Sequence, residues 1–221
     1  MAKVFIGIGH GGSDPGAVAN NTKEKDLNLS IGLACRDLLE KHGVSVKMSR
    51  TKDENDPIGE EVKECNAYAP DLAVDIHNNA GGGDGGEVFY HYGGGKGKIL
   101  AENILAEIVK VGQNSRGIKT RKNSQGNDYY AFIRNTSCPA VIVECAFVDN
   151  ARDLEILATE SQRKSMGEAI AKGILKTLGV EIQSESGYWK VQVGAYLYRE
   201  NAVDMQKKIK AVGFDAFIVK E

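Results

Sequence analysis

Two histidines leave the ends of apolar runs and open onto turns of small residues. His10 follows Val4-Phe5-Ile6-Gly7-Ile8-Gly9, and His77 follows Leu72-Ala73-Val74-Asp75-Ile76. Neutral imidazole is a common zinc ligand. In open α/β sheets, ligands gather beyond the carboxyl ends of the strands. One such histidine reads as a polar residue satisfied at a strand end. Two at the same topological position, with acids to match, point to a metal site.

A catalytic zinc takes three protein ligands and keeps a fourth position for water. Glu24 is the leading third candidate. It comes after the turn Ser13-Asp14-Pro15-Gly16 and opens the first helix. A helix that runs back antiparallel to the first strand starts at that strand's carboxyl end, where His10 sits. A local reading fits the spacing equally well: Asn21 and Glu24 stand as a capping box. Asp14 and Asp26 are weaker alternatives. His42 is explained by a helix C-terminus, and His91, before Tyr92-Gly93, is a poorer ligand candidate.

Glu144 interrupts the apolar run Pro139-Ala140-Val141-Ile142-Val143-Glu144-Cys145-Ala146-Phe147. An ionised carboxylate in such a strand is costly unless it is paired or associated with a metal. Near a metal-bound water it would act as general base and then as acid. The competing reading is a core acid paired with Arg134 on a neighbouring strand.

The elements that must position these groups alternate between strand and helix, which predicts a layered α/β domain. The fold class expected is a mixed, largely parallel twisted sheet flanked by helices, with a small C-terminal βαβ unit. Strands read at 3–9, 44–48, 72–77, 86–91 and 140–145, with a weaker one from Tyr130 to Arg134. Helices read at 24–41, 97–111 and 161–178, with a further one ending near Tyr68. Asn114 to Asp128 is a long polar stretch carrying Arg116, Lys119, Arg121 and Lys122, and loops of that length are often functional.

The pattern stops over 180–187, which reads as a linker after a domain at 1–179. A period-2 strand at 188–194, a helix bearing Ala202, Met205, Ile209 and Val212, and a final strand, Phe214 to Val219, form one βαβ unit over 188–221. That unit is too small to bury a core alone.

Composition narrows the partners. With 42% hydrophobic residues the chain can pack a core, which excludes disorder. A net charge of -2 leaves no electrostatic footprint for nucleic acid. No apolar run is long enough to span a bilayer, so no membrane insertion is expected. The N-terminus enters a strand directly, so synthesis in the cytoplasm without a signal peptide is expected. None of Cys35, Cys65, Cys138 and Cys145 forms a CxxC pair, and Cys35 and Cys145 read as small buried hydrophobes.

Four ordered blocks carry a resemblance. They are Gly9-His10-Gly11-Gly12-Ser13-Asp14-Pro15-Gly16-Ala17, Glu24-Lys25-Asp26-Leu27-Asn28-Leu29, Ile76-His77-Asn78-Asn79-Ala80 and Pro139-Ala140-Val141-Ile142-Val143-Glu144. Across roughly 3–178 the chain resembles zinc-dependent N-acetylmuramoyl-L-alanine amidases of the Amidase_3 type. The resemblance implies one zinc ion held by His10, Glu24 and His77, Glu144 as the catalytic acid, and peptidoglycan as substrate. It also decides the open question on Glu24 in favour of ligation. Arg50 and Asn66 match family positions of structural support. Asn78, Asn79 and Arg134 are candidates for substrate binding, and the 114–128 stretch for pairing with a stem-peptide carboxylate.

Two positions depart from the family pattern. Gly7-Ile8-Gly9 stands where Asp-Pro-Gly is usual, and Asp75 where Ser is frequent. Neither removes a ligand; the first could alter the support of His10. Residues 188–221 resemble half of a SPOR-type wall-binding module, so a homodimer that completes a sheet is a further expectation. The expected setting is the cell wall, reached after holin-mediated release by an endolysin or after cell lysis by an autolysin. Two rival classes remain: another zinc-dependent peptidoglycan peptidase or deacetylase, and a non-catalytic wall-binding protein.

Overall fold

The computed structural model describes residues 1–182 and 192–220. It divides into two units, Met1–Gln183 and Ser184–Glu221.

The first unit is built on six strands: β1 (Lys3–Ile8), β4 (Ser45–Met48), β5 (Leu72–Asn79), β6 (Gly86–Tyr90), β7 (Ser115–Lys119) and β8 (Ala140–Phe147). Their order in the sheet is β4-β1-β5-β8-β6-β7. All pairings are parallel except that of β6 with β8. The sheet is therefore mixed and largely parallel, as the alternating pattern predicts.

Because side chains alternate along a strand, the sheet has two different faces. On one, Val4, Ile6 and Ile8 of β1, Val74 and Ile76 of β5, and Val141 and Val143 of β8 join one core cluster. Its helical partners are α1 (Glu24–Lys41), α3 (Gly95–Lys110) and α6 (Glu160–Leu178), which supply Ile31, Ile104 and Ile170. On the other face, Phe5, Ala73, Phe89 and Ile142 meet Cys65 of α2 (Ile58–Tyr68) and Phe132 and Ile133 of α4 (Ala131–Asn135). That second covering is thin. Alternation places Asp75, His77 and Asn79 of β5, Glu87 of β6 and Glu144 of β8 on this same face.

Two local expectations are corrected, and one alternative reading is set aside. The region Tyr130 to Arg134 is not a strand: α4 occupies Ala131–Asn135. Arg134 therefore has no neighbouring strand from which to pair with Glu144, and donates instead to the carbonyls of Asp128 and Tyr129 at 2.7 and 2.9 Å. The polar stretch from Asn114 holds β7, an edge strand paired with β6. Asn21 does not cap α1. Asn20 and Asn21, both in the left-handed region (φ 52° and 59°), form the turn between β2 (Val18–Ala19) and β3 (Thr22–Lys23). Two successive positive φ values are what such a tight hairpin requires, and asparagine tolerates them. The helix then starts at Glu24, with Lys23 as its N-cap and no side-chain cap.

Met1–Gln183 also contains α5 (Ala151–Leu157), and α6 opens with a capping box, Thr159 with Gln162. In the second unit the expected helix is present as α7 (Arg199–Ala211). The linker 180–187 and the strand 188–194 fall largely outside the described residues. Phe214 to Val219 forms no strand among the described residues. Among these residues no helix is long and apolar enough to cross a membrane.

Candidate metal centre

The glycine-rich turn after β1 sets the direction of His10. Its backbone lies in the left-handed region at φ 64°, an uncommon conformation for a residue with a side chain. Neighbours hold the turn in place. Lys25 Nζ donates to Gly12 O at 2.8 Å and pairs with Asp53 at 2.7 Å, while Gly12 N donates to the other Asp53 oxygen. The buried Arg50 guanidinium donates to carbonyls of Ile8, Gly9 and Lys25, tying the end of β1 to the first turn of α1. Gly16 allows close approach: a Cβ there would sit 2.6 Å from Glu24 Oε2 and 2.7 Å from His10 Cδ2.

His10, Glu24 and His77 converge, with one ligand atom from each lying within 4.8 Å of the other two. His10 Nε2 is 3.2 Å from Glu24 Oε2, and His77 Nδ1 is 3.1 Å from Glu24 Oε1. The two rings meet edge to face, centroids 5.1 Å apart. Each histidine has its far nitrogen on another carboxylate: His10 Nδ1 with Asp14 at 2.8 Å, His77 Nε2 with Asp75 at 3.1 Å. This is the support that metal-binding histidines usually have. Asp14 thus lies behind a ligand candidate. Asp26, the other weaker alternative, lies outside the convergent group.

Glu24 is fixed from several sides. Its oxygens accept from Ala17 N at 2.9 Å and Asn78 N at 3.1 Å. The Asn78 side chain lies on the other face of β5 from His77. It is buried and donates to Asn28 Oδ1 at 2.8 Å, and Asn28 in turn donates to Gly9 O. Burial alone would raise the Glu24 carboxyl, but hydrogen bonds from His10 and His77 hold it well below the ordinary range. Burial likewise opposes charge on His77, and the Asp75 carboxylate, with Glu24 and Glu144, outweighs it and raises the imidazole. Two imidazoles whose protons are held by an ionised acid between them form a ligand set in which one divalent cation could take the place of those protons.

Sheet register brings the fourth residue in. His77 is opposite Glu144, and Glu144 is opposite Glu87. Glu144 Oε2 is shut off from solvent without a hydrogen-bond partner. Burial raises its carboxyl to about 7, with further upward push from Glu24, Asp75 and Glu87 against the pull of His77. A carboxyl poised near neutrality beside a three-ligand cluster suits proton transfer.

Asn79 stays on the His77 face and donates to Glu87 Oε1 at 3.0 Å. Glu87 also binds Arg116 at 2.8 Å and Lys119. Sequence reading missed Glu87, although an acid in a strand was the signal that singled out Glu144. His91 lies elsewhere: β6 runs antiparallel to β8, which carries its last residues to the opposite end of the strands, where His91 pairs with Asp128 at 3.0 Å. His42 donates to Leu38 O at the end of α1, as expected of a helix terminus. Asn66 bridges Asn135 and Ser137 and is structural support. All four cysteines are free, with Cys35 and Cys145 buried.

Two imidazoles and a carboxylate thus converge beyond the strand ends of a largely parallel α/β sheet, a set that could hold a metal ion. Residues 4–176 match the N-acetylmuramoyl-L-alanine amidase family, and residues 159–220 match the SPOR domain. The sporulation-specific N-acetylmuramoyl-L-alanine amidase of Bacillus subtilis (strain 168) is 34% identical over 99% of this chain and 85% of its own. The endolysin of Bacillus phage SPP1 is 34% identical over 82% of this chain and 68% of its own. Among solved structures, Cwp6 from Clostridium difficile has a TM-score of 0.79 at 39% identity, covering 80% of this chain and 29% of that one. The catalytic domain of the amidase CwlV from Bacillus (Paenibacillus) polymyxa has a TM-score of 0.74 at 28% identity, covering 82% of this chain and all of that one. The chain belongs to the N-acetylmuramoyl-L-alanine amidase family.

Proposed function

We propose that this amidase hydrolyses the bond between N-acetylmuramic acid and L-alanine of peptidoglycan with one zinc ion held by His10, Glu24 and His77. The observation that carries the reading is the unpartnered Glu144 Oε2 on the strand next to His77, beside the convergent cluster. Bound there, zinc would polarise the scissile carbonyl and make a coordinated water acidic. Glu144 takes the proton of the attacking water and returns it to the departing L-alanine nitrogen. Burial holds its carboxyl at about 7, so near neutrality it can take the proton as carboxylate and carry it as acid to the leaving group. Asn79, with Glu87, Arg116 and Lys119 beside it, borders the same face and is positioned to meet the stem peptide.

The test is product analysis on purified wall. An amidase releases new L-alanine amino groups and leaves the stem peptide at full length. Shortened peptides would favour a peptidase, and free acetate a deacetylase.

The SPOR match supports a second part of this reading: residues 188–221 hold the enzyme on the wall. Leu197, Phe214 and Phe217 are 90%, 69% and 77% exposed, apolar surface that a wall partner would cover. Self-association through this unit is the alternative that the same side chains favour. A monomeric mass in gel filtration overturns it.

A further inference from the structure

Behind His77, on the side away from Glu24, its supporting acid Asp75 meets a second buried acid, Glu61, that the amidase reading leaves without a role. Asp75 and His77 stand on the same face of β5, two residues apart. Asp75 Oδ2 accepts from His77 Nε2 at 3.1 Å. Its other oxygen, Oδ1, is buried and has no hydrogen-bond partner, and the same is true of Glu61 Oε1 from α2. Both oxygens lie over Gly7, which is opposite Asp75 in the β1–β5 register. A Cβ on Gly7 would collide with Glu61 Oε1 and lie 2.8 Å from Asp75 Oδ1. The missing side chain is what leaves room for the two acids. Like charges crowded in a site with little solvent cannot both ionise. Burial, and next the Asp75 charge, push the Glu61 carboxyl well above its ordinary range.

We propose that Glu61, Asp75 and Gly7 form a positioning device for His77. Protonated Glu61 donates to Asp75 Oδ1, Asp75 Oδ2 accepts Nε2–H of His77, and the lone pair of Nδ1 is left facing Glu24 and the metal. Asp75 and Glu61 touch neither metal nor substrate; they act through His77. The proposal rests on the reading of His77 as a metal ligand.

The test uses the full chain, wild type and the variants D75A, D75N, E61Q and G7A. Zinc affinity is read by competition with a chromophoric chelator. The His77 ring nitrogens are read by long-range ¹H–¹⁵N correlation, both metal-free and zinc-loaded. In wild type, Nε2 carries a slowly exchanging proton in both states, and zinc sits on Nδ1. D75A binds zinc about 10–100-fold more weakly and loses the slow exchange. D75N, whose amide oxygen can still accept Nε2–H, recovers most of that affinity and guards against a D75A chain that fails to fold. E61Q, whose amide can donate to Asp75 as protonated Glu61 does, stays close to wild type. G7A weakens zinc binding as D75A does. Wild-type affinity in D75A, zinc on Nε2, or a loss in E61Q as large as that in D75A overturns the proposal. If wild type binds no zinc, the metal reading fails separately, and the metal-free Nε2–H signal still decides this one: its slow exchange supports the device, and rapid exchange overturns it.

Discussion

The two histidines of the candidate metal centre are held in opposite ways. His10 sits on a turn, with a backbone in the left-handed region and a supporting Asp14 whose side chain is 65% exposed. His77 sits inside β5, one of the two central strands of the sheet, and the side chain of its Asp75 is 3% exposed. Hydrogen bonds to an exposed carboxylate compete with water, and those to a buried one do not. The geometry of His10 therefore depends on the clamp made by Arg50, Lys25 and Asp53. That of His77 depends on sheet register and the acids behind it.

The largest expected effect falls on the residue that both histidines share. Glu24→Ala should abolish stoichiometric zinc binding and activity together, as measured by metal analysis and amino-group release. Retained zinc would show that the histidines need no common carboxylate.

Next comes the contrast itself. Asp14→Ala should weaken zinc binding less than Asp75→Ala does, by no more than about tenfold where the buried partner is worth up to about a hundredfold. Equal losses in the chelator competition would erase the distinction between turn and strand support.

The metal-free protein offers a contrast in pH. Glu24 is held well below its ordinary 4.5, so its contribution to stability is complete above that value and fades as pH falls through the folded one. Glu144 titrates at about 7 in the folded chain against an ordinary 4.5. Its ionisation therefore costs stability, none below pH 4.5 and the full amount above 7. With a chelator present, Glu24→Gln should lower Tm at pH 7. Glu144→Gln should raise Tm by a few degrees at pH 8 and leave it unchanged at pH 4.5. A Glu144→Gln Tm that does not rise at pH 8 would show that the carboxyl is solvated.

The smallest effect belongs to His91. His91→Ala should leave zinc affinity unchanged, because the antiparallel run of β6 puts it at the far end of the strands. A measurable loss would mean that the register of that pair is wrong.

Most of this site was legible because its residues break patterns. His10, His77 and Glu144 interrupt or end apolar strands, and Glu24 begins the helix that follows the first of them. Asp75 breaks the same pattern in the run before His77. It reads in sequence only as a departure from a family motif, since its partner Glu61 comes from a helix that spacing cannot bring to Gly7. Asn78 shows the opposite limit. It follows His77 in sequence, yet strand alternation turns it to the other face, where it serves Asn28.

The errors in the fold have similar causes. β7 is a polar edge strand with one neighbour, so neither face carries a continuous apolar stripe. In α4 a single turn buries two adjacent residues, Phe132 and Ile133, and five residues are too few to separate helical from strand periodicity. The capping-box alternative does not form because an Asn-Asn hairpin runs up to Lys23, and the helix starts at Glu24 as its apolar pattern predicts.

The most direct test of the central claim is zinc content and release of L-alanine amino groups from wall, measured together for wild type, His77→Ala and Glu144→Gln. The account predicts about one zinc and full activity in wild type, loss of both in His77→Ala, and zinc retained with activity lower by about 10²–10⁴-fold in Glu144→Gln. A zinc-free active wild type, or a fully active Glu144→Gln, would contradict it.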